Sequence, residues 1–581
     1  MKKLVALFSI LATLMIVVSS CETKDPIVEK GTLQSATYNP ATKSFTLTYS
    51  SGQTETVNAV VDDKTDPPTA TATLKDGTVI YAGDATVAGA ATIAKEINIV
   101  NQFVYDGMSL YYFWADEVKN KKPTVADVNP ENYFYKILNS TDTQHGWSWI
   151  TDDVNALLAD FSGKSLSFGY NIGFIIINNV VYAYVKYVYD NTPAAKAGLK
   201  RLDLIGKLNG QFISTEQRGA YTYVSDKDMN LLYGNSTVNF SIYKFLDNNI
   251  ILDKEVSITP DESDKDPVLY ENIYTVGDKK VGYLFYTNFY DNFNYRLFEA
   301  FNKFKQAGIT DLILDLRYNT GGSVSSAIYL SSLIAPRTAV ENKSPFIVMD
   351  YNNLLNTSFD KWYDEAAPAD KYKYDRKDYL GTYSSNDKNP LEANLNLDKV
   401  YIIATGNSYS ASELVTHCLK SYMNVVHIGS NTGGKYTASW TIHAYDKELG
   451  ATVYDTNDLK TDEKTKLKKW AMQPIVAMYA NKDSKSFNIP GYLSPDYNLE
   501  EGFGYIDRWT QLGDTKDVFL GQALYLISGN VSYLPVEPSS TRSIQTIRKE
   551  IVNRHDEAKP VIIDNIKLTA DDFQKLILLR K

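Results

Sequence analysis

The chain has 581 residues, of which 44% are hydrophobic and 22% charged, and its net charge is −10. At about 150 residues per domain this implies roughly three or four folded units, and no long Lys/Arg block exists to hold duplex nucleic acid. The 43 tyrosines suit wide polar surfaces and clefts, each an apolar ring with a wet hydroxyl, but they fix no activity.

The first residues carry an address. Lys2 and Lys3 precede an apolar run from Leu4 to Val18, followed by Ser19-Ser20-Cys21. A basic start and a short apolar stretch make a signal peptide over residues 1–21, too short for a stable membrane span. Small residues before a cysteine resemble the bacterial lipobox. That implies lipidation at Cys21 and a membrane anchor in a bacterial cell envelope, at the outer membrane, on its periplasmic or its exposed face. Only Cys418 then remains, so no intrachain disulfide is available and stability rests on burial.

Residues 22–93 read as a charged tether containing Pro26 and then a small β module. Residues 45–49 and 54–57 alternate, and a second hairpin turns at Asp76-Gly77 between 70–74 and 78–81. Over 94–164, Ile97, Val100, Val104, Met108 and Tyr111 recur at helical spacing, which predicts a mainly helical section. Residues 165–262 return to short strands at 174–177, 180–188, 238–243 and 250–258. Over 263–545, strands at 281–285, 313–314, 400–404 and 425–428 alternate with helices, which implies layered α/β packing. Two polar stretches inside it, 336–397 and 444–470, read as long loops that serve as lids or substrate contacts, or as solvated decoration. The tail, 546–581, ends in a candidate docking helix.

Two segments carry chemistry. Asp315-Leu316-Arg317-Tyr318-Asn319-Thr320-Gly321-Gly322 follows one buried strand. Ser408-Tyr409-Ser410-Ala411-Ser412-Glu413-Leu414 follows another and leads on to Gly433-Gly434-Lys435. Ser410 stands between a strand and an apparent helix start, where its hydroxyl projects and nearby N–H groups lack partners. A serine hydroxyl needs a base to take its proton. Lysine serves only when neutral, so its pKa must fall from ~10.4 toward ~7–8 through burial. Lys435, after the apolar run Val425-Val426-His427-Ile428, is placed for that. The N–H of Ala411 and one from Gly321 or Gly322 are the candidate oxyanion-hole donors.

Blander readings compete. Ser410-Ala411-Ser412-Glu413 is also a helix capping box. Gly429 to Lys435 nearly matches a phosphate-binding loop, but Tyr436 replaces the Ser/Thr that would hold Mg²⁺, and 441–445 reads as strand. A Ser-His-Asp triad has weak support. His417 lies two helical turns beyond Ser410, about 10 Å along the axis, and His427 and His443 occupy no motif. No metal motif or other cofactor is implied.

Together the two segments resemble the S41 family of C-terminal-processing peptidases, with Ser410 and Lys435 the family's usual 25 positions apart. Thr192-Pro193-Ala194-Ala195-Lys196-Ala197-Gly198-Leu199, then Asp203-Leu204-Ile205 and Asn209-Gly210, resemble the PDZ domain of such proteases. Gly169, Tyr170, Asn171, Ile172 and Gly173 stand where that domain has its carboxylate-binding, peptide-capturing loop. Leu202 departs from the family's usual glycine. The resemblance implies an α/β fold: a crotonase/Clp-like catalytic core with an inserted PDZ-like β domain at 165–262, a helical N-terminal section and the small β module. It implies a lipid-anchored serine endopeptidase that cleaves unfolded or C-terminal polypeptide segments through an acyl-enzyme on Ser410, with Lys435 as base. The family's Gln four positions after the lysine is Ser439 here, left in a supporting role. That departure motivates the alternative, a non-catalytic peptide- or ligand-binding surface lipoprotein on the same fold.

Overall fold

The computed structural model describes residues 30–63, 65, 67–218, 221–246, 249–501, 510–534, 549–551, 561–564 and 566–580, and divides into two compact units at Ile97/Asn98. Cys21 and the apolar run before it lie outside the described residues. Among the described residues no helix is long and apolar enough to cross a membrane.

The first unit consists of two antiparallel four-stranded sheets. Leu33–Asn39 pairs with Ser44–Tyr49 in one, and Thr69–Thr73 with Val79–Ala82 in the other. Their inward side chains, Phe45, Leu47 and Ile80, are fully buried, and Gly77, at φ +85°, supplies the left-handed turn between strands. Thr92–Ala94 is a strand of the second sheet, so helix starts later than the apolar spacing suggests. It begins at Ile99, where the Asn98 side chain accepts the Val100 N–H.

In the second unit five strands run parallel: Lys279–Tyr286, Asp311–Asp315, Lys399–Ala404, Asn424–Gly429 and Tyr497–Asn498. Val268–Val276 closes one edge antiparallel. The central strands are apolar on both faces because both are covered. Leu284, Leu314 and Ile402 face one core, while Phe285, Ile313 and Ile403 face another. The helix Asn294–Ala307 ends at Gly308, whose φ of +67° lets its N–H turn back to Phe304 and Lys305 carbonyls.

A second six-stranded sheet runs in the order Gly321–Ser323, Val561–Ile563, Thr437–Ser439, Ile475–Asn481, Pro345–Tyr351, Lys377–Tyr379. This corrects the reading of 336–397 as a loop. Pro345–Tyr351 is an interior strand and Asn353–Glu365 a helix, held by buried Phe346, Ile347, Leu355 and Phe359. The other polar stretch likewise contains the helix Thr461–Leu467 and a short strand, Ala451–Thr452. Scattered apolar residues among many Tyr, Asp and Asn hid both. At the C-terminus, Ala570–Arg580 is a helix whose Phe573, Leu576 and Ile577 are buried in the main core.

Residues 170–258 contribute an antiparallel sheet in which Tyr170–Ile177, Val180–Val188, Leu204–Leu208, Val238–Leu246 and Asn249–Ile258 are neighbours in that order. Lys549–Ile551 adds to its outer edge, pairing antiparallel with Phe174–Ile176. Leu202 adopts φ +80°, the left-handed turn for which glycine is suited, while its N–H donates to the Val185 carbonyl.

Candidate active site

Ser410 sits at the turn between Lys399–Ala404 and the helix Ala411–Leu419, with φ +67° and ψ −116°. A non-glycine residue in that region is strained, and the neighbouring structure must hold it there. The means are visible. The Asn319 carbonyl accepts the Tyr409 N–H at 3.1 Å and the Ser412 hydroxyl at 2.9 Å. The Ser408 hydroxyl donates to the Leu316 carbonyl at 2.7 Å. The two segments singled out in the sequence are thereby stitched side by side.

Glu413 does more than cap a helix. Its buried carboxylate accepts the Ser410 N–H at 2.7 Å, the Lys435 N–H at 2.8 Å, the Gly434 N–H at 2.8 Å and the Thr432 hydroxyl at 2.5 Å. One side chain therefore fixes the serine turn against the segment that carries the lysine. The Tyr479 hydroxyl, reaching the carbonyls of Ser410 and Lys435, makes a second, longer tie. The capping reading of Ser410 is half right: its N–H meets Glu413, yet its Oγ, fully buried, has no hydrogen-bond partner among the described residues. A buried hydroxyl left unpaired costs about 1–3 kcal/mol and invites a functional explanation.

Lys435 is also fully buried. Burial lowers its amine from the ordinary 10.5 to about 7, against the upward pull of the Asp142 and Glu413 carboxylates. Asp142 belongs to the helix Ser140–His145 and accepts the Tyr112 hydroxyl at 2.7 Å and the Ser148 N–H at 2.9 Å. Burial raises its own pKa. Nothing in the local sequence marked Asp142, because only the fold brings it near Lys435. After Lys435 comes a strand, Thr437–Ser439, so the strand-loop-helix order of a phosphate-binding loop is absent there.

The candidate oxyanion donors separate. The Gly321 N–H donates to Asn319 Oδ1 at 2.9 Å. Ser323 donates its N–H to the Phe289 carbonyl and Phe289 donates to the Gly321 carbonyl. Alternation along Gly321–Ser323 therefore turns the Gly322 N–H to the opposite edge. Gly322 has φ +139°, and a Cβ there would lie 2.4 Å from the Phe289 carbonyl oxygen. The Ala411 N–H stands at the first turn of its helix, beside Ser410.

Ser439 is fully buried with its hydroxyl unpartnered among the described residues, and no bond from it to Lys435 is seen. Gly169 has φ +85°, but residues 170–173 are not a loop. They form the start of the strand Tyr170–Ile177, because Tyr170 and Asn171 already pair with Val188 and Tyr187. The three histidines considered for a triad bond to backbone: His417 to the Lys485 carbonyl, His427 to those of Ser494 and Ala404, and His443 to that of Lys468.

Residues 280–478 match the family model described as Peptidase family S41. The segment holds Gly322, Ser410, Ala411, Glu413 and Lys435. Residues 100–149, which include Asp142, match the Peptidase S41 N-terminal domain. Among solved structures, a protein described as an S41 protease of Bacteroides fragilis NCTC 9343 shares 24% identity over 74% of this chain and 97% of its own, with a TM-score of 0.55. The S41 protease fold is thus common to both. The photosystem II D1 C-terminal processing protease aligns over 74% of this chain and 99% of its own at 16% identity, TM-score 0.39. No curated protein matches the chain.

Proposed function

We propose that the chain is a lipid-anchored serine endopeptidase of the S41 type that cleaves unfolded polypeptide through a Ser410–Lys435 dyad. The observation that carries this is the wholly buried Lys435 amine, lowered to about 7, on a segment tied by Glu413 to the strained Ser410 turn. An amine with that pKa is substantially neutral near pH 7 and is a competent base there. Lys435 takes the Ser410 proton as Oγ attacks the scissile carbonyl, and the Ala411 and Gly322 N–H groups receive the developing oxyanion. The Lys435 ammonium protonates the departing amine, and the neutral lysine then activates the water that hydrolyses the ester on Ser410. Asp142 and Glu413 stabilise the transient ammonium.

In this reading the sheet over 170–258 is the PDZ-like domain, the parallel core is crotonase/Clp-like, and Cys21 carries the lipid. The test is hydrolysis of an unfolded protein such as reduced casein. Ser410→Ala and Lys435→Ala should each remove turnover by at least ~10³-fold with folding intact. Near-normal turnover in either variant would overturn the dyad.

A further inference from the structure

Two short segments near the C-terminus pair as extended strands with the sheets of the second unit. Val561–Ile563 is a strand inserted between Gly321–Ser323 and Thr437–Ser439, parallel to both. Lys549–Ile551 adds antiparallel to the edge of Tyr170–Ile177. One border of the first insertion carries Gly322, and the other begins two residues after Lys435. The Gly322 N–H and C=O face Val561–Ile563, since the Gly321 carbonyl and Ser323 N–H face Phe289. A substrate carbonyl whose oxygen reaches Gly322 would occupy the same space as this strand. The position is secured just beyond it: the Asp564 N–H donates to the Ser439 carbonyl at 3.1 Å, and its buried carboxylate accepts from Trp440 Nε1 at 2.9 Å and from the Tyr351 hydroxyl.

We propose that the chain's own C-terminal segment, at 549–551 and 561–564, occupies the strand-binding surfaces for substrate polypeptide, and that substrate gains entry by displacing it. The partner is thereby defined by chemistry: an extended backbone that pairs with Gly321–Ser323 on one side and Thr437–Ser439 on the other, with little demand on sequence. This rests on the peptidase reading for the role of Gly322, but the occupancy itself is a matter of backbone pairing. Strand exchange makes the apparent affinity for substrate scale with the fraction of molecules whose groove is open.

Ile563→Pro is the test. Asp564 donates to Ser439, so the N–H of the preceding residue, Ile563, points the other way, toward Gly322, and proline removes it. Two readouts are taken on the full chain: hydrolysis of reduced casein, and binding of fluorescently labelled reduced casein by the same variant on a Ser410→Ala background. Both should improve at least tenfold over the parent. If Ile563→Pro does not fold, Asp564→Ala, which unties the segment from Trp440 and Tyr351, carries the same two readouts with an expected gain of about threefold. Tighter binding with no hydrolysis in any chain supports the occupied groove while sinking the peptidase reading. Hydrolysis by the wild type with neither binding nor turnover raised in a folded variant leaves the peptidase reading intact and overturns the occupied groove.

Discussion

Lys435→Met tests the physical basis of the site without reference to any substrate. Methionine is close in length to the lysine stem and carries no charge, so the exchange removes the cost of an amine held in a fully buried place. A fall from 10.5 to about 7 corresponds, at ~1.4 kcal/mol per pH unit, to a cost on the order of 5 kcal/mol when the amine is protonated. Below pH 7 both folded and unfolded chains hold the proton, and the whole cost bears on the fold. Between about pH 7 and 10.5 the unfolded chain keeps a proton that the folded chain has shed, so stability rises with pH. Above that window the group contributes nothing. The measurement is urea unfolding of wild type and Lys435→Met at pH 6.5 and 9.5, followed by tryptophan fluorescence, which reports the second unit because all seven tryptophans follow Asn98. The Lys435→Met variant should be more stable than wild type by several kcal/mol at pH 6.5, and the gap should narrow by about 3 kcal/mol at pH 9.5. A gap of equal size at both values would refute the argument that burial neutralises this amine.

The same amine predicts that kcat/KM for casein hydrolysis rises with pH and levels off above an apparent pKa near 7; a rate still climbing tenfold per unit at pH 9 would contradict it. Glu413→Gln keeps the shape but sets an NH₂ against donors now accepted by four carboxylate bonds, so kcat should drop by about 10²-fold with a smaller change in KM. Gly322→Ala places a methyl 2.4 Å from the Phe289 carbonyl oxygen, and thermal unfolding should show a loss of about 2 kcal/mol or more together with lost activity. Arg317→Met strands Asp315 and Asp517, both buried and both bonded to its guanidinium at 2.6–2.8 Å. Chemical denaturation should register a loss of about 3–5 kcal/mol.

Much of the site was written in order along the chain. Residues 401–403 and 425–428 read as buried strands because they are short, mostly apolar runs, the second interrupted only by His427, and both lie in the parallel sheet. Ser410 and Lys435 are singled out as a pair by the resemblance to the S41 family, through motif order and their spacing of 25 positions. Glu413 was visible only as a capping residue, since its four donors come from positions up to 22 residues away. Asp142 was invisible, and so was the difference between the two glycines, of which Gly321 donates its N–H to Asn319 Oδ1. The resemblance to a PDZ domain places a loop at 169–173, whereas from Tyr170 onward the backbone pairs with Val180–Val188, a long-range contact that no local pattern records.

Sequence alone determined which residues are chemically able to act, since a hydroxyl, an amine and flexible glycines are properties of side chains and backbone that no fold can supply. Tertiary structure decided what those groups are able to do. The Lys435 amine acquires a pKa near 7 only where packing excludes water, and the Gly322 N–H acquires a direction only when Phe289 occupies the other edge of its strand. Desolvation and strand pairing both depend on residues far apart in the chain, and for that reason the linear order cannot state them.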